Sequence, residues 1–153
     1  SVSAQKKLGG GALLELSHEL DYIDHIFGEN SLTYSYNKKL SDLKINVDDF
    51  LCLNAISSKK VFINLLTNFF SRINRREIHI EGKNLSLQAD LILNKILIIS
   101  NGKKKILKWR KFKNINTYQQ EHLDIISGNL KHVCNITQAN KTLKIIKQIQ
   151  DLR

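Results

Sequence analysis

A change of hydrophobic period constrains this chain more than any other feature. Between residues 77 and 90, Ile78 and Ile80 alternate with Glu77, His79 and Glu81, and Leu85, Leu87 and Ala89 alternate with Ser86, Gln88 and Asp90. Successive side chains of a strand point to opposite faces, so this alternation predicts half-buried β-strands. Asn101-Gly102 joins Lys95–Ser100 to Lys103–Trp109. Both residues tolerate the positive φ of a two-residue type I′ turn, which predicts a tight hairpin. Ser57-Ser58-Lys59 turns Phe50–Ile56 back into Val61–Phe70, and Ser31–Leu40 adds a further strand.

Both ends change to a period of 3.6. Over residues 12 to 27, Leu13, Leu16, Leu20, Ile23 and Phe27 fall on one stripe, with Gly11, Glu15, His18 and Tyr22 roughly opposite. Gly28 then supplies a left-handed cap. Helix returns near residue 117, with Thr117 and Gln120 spaced as a capping box, Leu123 and Ile126 on one face and Gly128 past the last turn. A final helix after Thr137 carries Ala139, Leu143, Ile146 and Ile149 as its apolar stripe. Helix, a run of strands and two helices predict an α+β domain, a largely antiparallel open sheet of about six or seven strands with helices packed on one face. The bare face, carrying Phe62, Leu66 and Phe70, is then expected to bury itself in a dimer or larger oligomer.

A chain of 153 residues with 42% hydrophobic content can bury a core without metal or disulfide. Cys52 and Cys134 stand far apart, in keeping with reduced thiols in a cytoplasmic protein, and no apolar run is long enough to span a bilayer. Residues 1 to 8 form an irregular lead-in without an initiating Met, as in a piece of a longer chain. The formal charge of +10 raises the question of an anionic partner. Lys103, Lys104, Lys105, Lys108, Arg110, Lys111 and Lys113 crowd one segment with Trp109 and Phe112, so a basic, non-enzymatic module that meets nucleic acid through 103–113 is one alternative. Lysines that guard an exposed sheet edge explain the same residues, as does a general compositional bias.

Chemistry is best placed at Gly9–Tyr22. Carboxylates at Glu15 and Asp21 lie one turn from His18 and are within reach to orient its ring, leaving it free to take a proton from an alcohol or return it. The triple glycine lacks the third position of a dinucleotide fingerprint and follows no buried strand, so its simplest role is a sharp turn into the helix. The scattered histidines and the pair His132 and Cys134 give no metal-ligand spacing. Arg72, Arg75 and Arg76 form one compact group suited to a carboxylate or phosphate.

The run Gly9 to Tyr22 followed by Phe27-Gly28 resembles the start of the C-terminal domain in the Gfo/Idh/MocA family of NAD(P)-dependent sugar oxidoreductases, a branch of which carries G-G-G-x-L-L-[DE]-L-S-H-E-L-D-Y and then F-G. Asn46-Val47-Asp48-Asp49 is similar to the family's N-V-E-D, Ser71–Arg76 with Ile80-Glu81-Gly82 to its Q-R-x-x-R-R…I-x-G stretch, and the closing helices to its ending. The resemblance implies that residues 1–153 are a single substrate-binding and oligomerisation domain, with the N-terminal Rossmann domain and the family's catalytic lysine outside the chain. NAD or NADP is then bound mainly by that missing domain, and the fragment is inactive by itself. It further implies His18 as the catalytic histidine, with Glu15 in the acid's place three residues before it where many members have an Asp four before. Gly11, Tyr22, Arg72, Arg75 and Arg76 become substrate-binding candidates, with no metal. The implied substrate is a sugar, inositol or nucleotide sugar, and the implied assembly a homodimer or homotetramer through the sheet face. A non-catalytic oligomerisation scaffold is the remaining alternative.

Overall fold

The structure is a computed structural model that describes residues 2–110 and 114–152. The chain divides into two compact units, Ser1–Ser71 with Cys134–Arg153, and Arg72–Val133. No described helix is long and apolar enough to cross a membrane. Among the described residues seven strands form and every pairing is antiparallel, as the α+β reading expects, but they are hydrogen-bonded as two sheets, in the orders β1-β2-β3 and β4-β5-β6-β7, rather than as one.

In the first unit, two 3-10 turns (Val2–Ala4 and Lys6–Leu8) lead into α1 (Ala12–Glu15) and α2 (Ser17–Phe27). One continuous helix was expected there; instead Leu16, at φ −101° and ψ 19°, separates the two. Gly28 does end α2 at a positive φ of 83°, but its ψ of 179° puts it outside the left-handed helical cap, in a region open essentially to glycine. β1 (Asn30–Lys38), β2 (Phe50–Ser57) and β3 (Phe62–Asn68) follow. Leu51, Leu53 and Ala55 alternate inward from β2 and meet Ile63 and Leu65 of β3. A bulge at Thr33 resets the phase of β1, so that Leu32 packs inward while Tyr34 and Tyr36 face out and Asn37 is buried.

Leu13, Leu20 and Ile23 close the core from above, joined by Ile145, Ile146 and Ile149 of α4 (Ile136–Asp151). Thr142, not the expected Leu143, completes the α4 stripe: Leu143 is 57% exposed. Asn135 caps α4 in a reciprocal box with Gln138, each side chain bonded to the other's backbone N–H at 2.9 Å.

The second unit holds β4 (Glu77–Gly82), β5 (Leu85–Asp90), β6 (Lys95–Ser100), β7 (Lys103–Lys108) and α3 (Asn114–Ser127). Asn101 and Gly102, at φ 48° and 73°, form the expected hairpin turn. Helix α3 starts before Thr117, so that residue lies inside the helix and is no cap. Leu123 and Ile126 remain 59% and 82% exposed, so α3 does not cover a sheet face with them as the sequence suggested.

Candidate functional site

The glycine run meets a polar cluster built around Asp48. The Asp48 carbonyl accepts from the Ala12 N–H at 2.9 Å, and its Oδ2 accepts from the Leu13 N–H at 2.9 Å and from Asn37 Nδ2 at 2.8 Å. Asp48 therefore caps α1 from a distant point in sequence, satisfying N–H groups that a helix start leaves unpaired. This fixes what the glycines do. Gly11 sits at φ 115°, and a Cβ there would lie 2.6 Å from Asp48 Oδ1; at Gly10 a Cβ would lie 2.5 Å from the Ser3 carbonyl oxygen. The space beside both is filled by this chain's own atoms, and no strand leads into the run. These residues do not fit a dinucleotide's phosphates, which need open space over glycine backbone at a strand-to-helix turn.

The neighbouring Asp49 is fully buried. Burial pushes its carboxyl up, but N–H bonds from Leu40 and Ser41, the Ser41 hydroxyl and the Lys39 charge outweigh that and hold it below the ordinary carboxylate value. Asp49 thus closes the loop between β1 and β2 on itself, and Asp48 ties the end of that loop to the start of α1.

On α2 the His18 side chain is 52% exposed, and its Nε2 lies 3.1 Å from Glu19 Oε1, a carboxylate 9% exposed. Glu15 is exposed; the carboxylate that meets His18 is Glu19, which sequence reasoning missed. Asp21 instead accepts from the Thr142 hydroxyl of α4 at 3.4 Å. Tyr22 is half-buried and leans on the core, and Gly11 is buried beside Asp48. The signal for Glu19 was its place on the shoulder of the α2 apolar stripe, where a carboxylate must find a partner.

Arg72, Arg75 and Arg76 belong to the second unit and are exposed. Arg75 Nε stands 4.0 Å from Glu77 Oε1, and the Arg76 carbonyl accepts from the Leu91 N–H at 2.9 Å. Lys103, Lys104, Lys105 and Lys108 line β7, exposed along its whole length. Arg110 and Trp109 follow it, while Lys111, Phe112 and Lys113 lie outside the described residues. Among the described residues no three His, Cys, Asp or Glu side chains gather as a metal site.

No family model matches the chain, and no curated protein matches it either. Solved structures do. The UDP-N-acetylglucosamine 3-dehydrogenase GnnA from Acidithiobacillus ferrooxidans superposes with a TM-score of 0.75 at 14% identity, over 90% of this chain and 45% of that one. The 3-ketoreductase KijD10 from Actinomadura kijaniata, solved with NADP and TDP-benzene, gives 0.73 at 12% identity over 99% and 48%. The biliverdin reductase from Synechocystis, solved with biliverdin and NADP+, gives 0.72 at 8% over 99% and 49%.

The fold is that of the C-terminal half of such oxidoreductases. This chain spans about half the length of those it matches. Identities this low establish architecture alone, and a sugar-nucleotide enzyme and a biliverdin reductase share it.

Proposed function

We propose that this chain is the substrate-side half of an NAD(P)-dependent oxidoreductase of the Gfo/Idh/MocA type, acting on the hydroxyl or carbonyl of a sugar, an inositol or a nucleotide sugar. The observation that carries the reading is the half-exposed His18 ring standing 3.1 Å from a buried carboxylate, on the helix that follows directly after the short one capped by Asp48. Such a ring takes the proton of a hydroxyl as it is oxidised and returns it in the reverse direction. The architecture shared with GnnA and KijD10 supports the class. The dinucleotide belongs to a domain outside this chain, because the glycines here do not fit it.

The outward face of β1–β3 is the proposed surface for self-association into a homodimer or homotetramer. Tyr36, Cys52 and Leu66 align across the three strands, Ile56 stands opposite Phe62, and Phe62, Leu66 and Tyr34 are 66%, 56% and 52% exposed. Phe50 stacks on Phe70 with ring centroids 6.2 Å apart. Soluble monomers rarely leave a contiguous apolar set of this size bare, and sedimentation that finds only monomer at micromolar concentration removes the interface.

Titrating the isolated chain with a nucleotide sugar and, separately, with NADPH tests the functional reading. Amide shifts clustered at residues 11–22 with the sugar and no comparable response to NADPH are expected. NADPH binding as tightly as the sugar, or sugar shifts confined to other segments, contradicts it.

A further inference from the structure

We infer that the face of the second unit's sheet carrying Glu77, Glu81, Lys104 and Lys108 docks onto the same face of a second copy of this chain, about a two-fold axis that runs along the strands. Successive register positions of the β4–β7 ladder set a row of side chains across the sheet. One row is Glu77, Asp90, Lys95 and Lys108; the next on the same face is His79, Gln88, Leu97 and Ile106, and the third is Glu81, Ser86, Ile99 and Lys104. The β4–β5 half of this surface is therefore acidic and polar, and the β6–β7 half basic and apolar. Such a division suits a single chain poorly. Glu77 stands directly opposite Asp90 and Lys95 directly opposite Lys108, like charges whose opposition destabilises a ladder. The chain relieves the acidic pair in part: Glu77 Oε2 lies 3.2 Å from His79 Nε2, and Asp90 Oδ1 accepts from the Ile92 and Leu93 N–H groups at 2.9 and 2.8 Å. Glu81, Lys104 and Lys108 are exposed.

Turning a second copy about an axis along the strands lays its β4 over β7 and its β5 over β6 with the rows kept in order. Glu77 of one copy then faces Lys108 of the other, Asp90 faces Lys95 and Glu81 faces Lys104, and the symmetry repeats each pairing. An axis across the strands would instead set Glu77 over Glu81 and Lys104 over Lys108, which repels. Charge thus selects both the occupant and its orientation, and sheets that face each other with their strands nearly aligned are an ordinary packing. Ile99 and Ile106, 43% and 47% exposed, are covered between the charged rows. Strands of six residues, at about 4.8 Å between strands and about 3.4 Å per residue, give a patch of roughly 400 Å² in plan. That is small beside the about 800 Å² of accessible surface that each partner of a stable complex buries. The dimer is accordingly weak, populated at high micromolar concentration and absent from dilute solution. It is separate from the β1–β3 surface and stands whether or not that surface associates.

Sedimentation of the chain up to about 0.5 mM, where contacts of this size assemble, tests the inference in a Leu66→Lys background that disables the β1–β3 surface. Leu66 is 56% exposed, so that substitution leaves the core alone. A concentration-dependent dimer with no larger species is the expected result. Glu81→Lys and Lys104→Glu each place like charges against each other at both symmetry-related contacts, and each should raise the dimer Kd about tenfold or more. An equimolar mixture of the two variants should recover the original Kd to within about threefold, because one chain is then basic at both positions and its partner acidic at both. A chain that stays monomeric throughout this range, a Kd indifferent to both reversals, or a mixture that assembles no better than either variant alone overturns the inference. If the reversals and their mixture behave as expected while Leu66→Lys by itself changes no assembly, the β1–β3 interface is removed and this one stands.

Discussion

The first unit packs Leu13, Leu20 and Ile23 from one helix pair and Ile145, Ile146 and Ile149 from another helix against Leu51, Leu53, Ile63 and Leu65 of its sheet. The second unit has four strands to the first unit's three, and its sequence alternates just as cleanly, yet Ala89 is its one buried apolar residue among those described. Ile78, Ile80, Leu87, Ile96 and Ile98 share one face of it and are only half-buried. The difference lies in helical cover. Alternation gives a strand an apolar face, but a core forms only where a helix carries a matching stripe onto that face. The first unit is therefore held by packing and the second by its strand ladders and cross-strand pairs, and the proposed site lies on the first.

The largest expected effect follows from this contrast. Leu51→Ala, in the first core, should cost about 2–5 kcal/mol, and Ile98→Ala, in the half-buried sheet, less than half as much; urea unfolding followed by tryptophan-independent far-UV signal measures both. Equal losses would erase the distinction between the units. Next comes the glycine run. Gly11→Ala places a Cβ against the Asp48 carboxylate and should cost on the order of 2–3 kcal/mol, whereas Gly9→Ala, also at positive φ but with open space around it, should cost about 1 kcal/mol.

Acid should act on the first unit through Asp49. Its folded carboxyl titrates below its unfolded value, so it contributes stability that is complete above the unfolded pKa and is lost as the pH falls below about 4 toward the folded value. Asp49→Asn should flatten that acid limb in unfolding measured from pH 3 to 6. The smallest effect belongs to the second unit's ladder, where Lys108 stands directly opposite Lys95. Lys108→Glu converts like charges into an opposite pair and should stabilise by about 0.2–1 kcal/mol at low salt, a gain that fades as ionic strength rises. A loss instead would mean that the lysines of β7 support something other than a guarded edge.

Local signals carried much of this fold into the sequence. Asn101-Gly102 located β6 and the start of β7, which ends at Lys108, one residue short of the expected Trp109, because the turn's positive φ values admit few side chains. The α2 stripe was legible through Leu20 and Ile23. What escaped depends on contacts distant in sequence. The break at Leu16 carries no Gly or Pro, and Thr142 replaces Leu143 because α4 is rotated to meet its sheet. At the candidate site His18 was legible, but its acid was sought one helical turn away. A helix wheel shows which residues share a face and says nothing of which carboxylate the fold buries; that is Glu19, adjacent in sequence. A sharp turn was the simplest role for the glycines; that Asp48, thirty-five residues beyond Leu13, fills the space beside Gly11 was not legible.

The most direct test of the account is the turnover of His18→Ala in the natural polypeptide that carries this chain, under conditions where the chemical step limits the rate. The account expects kcat to fall by something on the order of 10²-fold, as removal of an acid/base group does, with the fold intact by thermal unfolding. An unchanged kcat would contradict it.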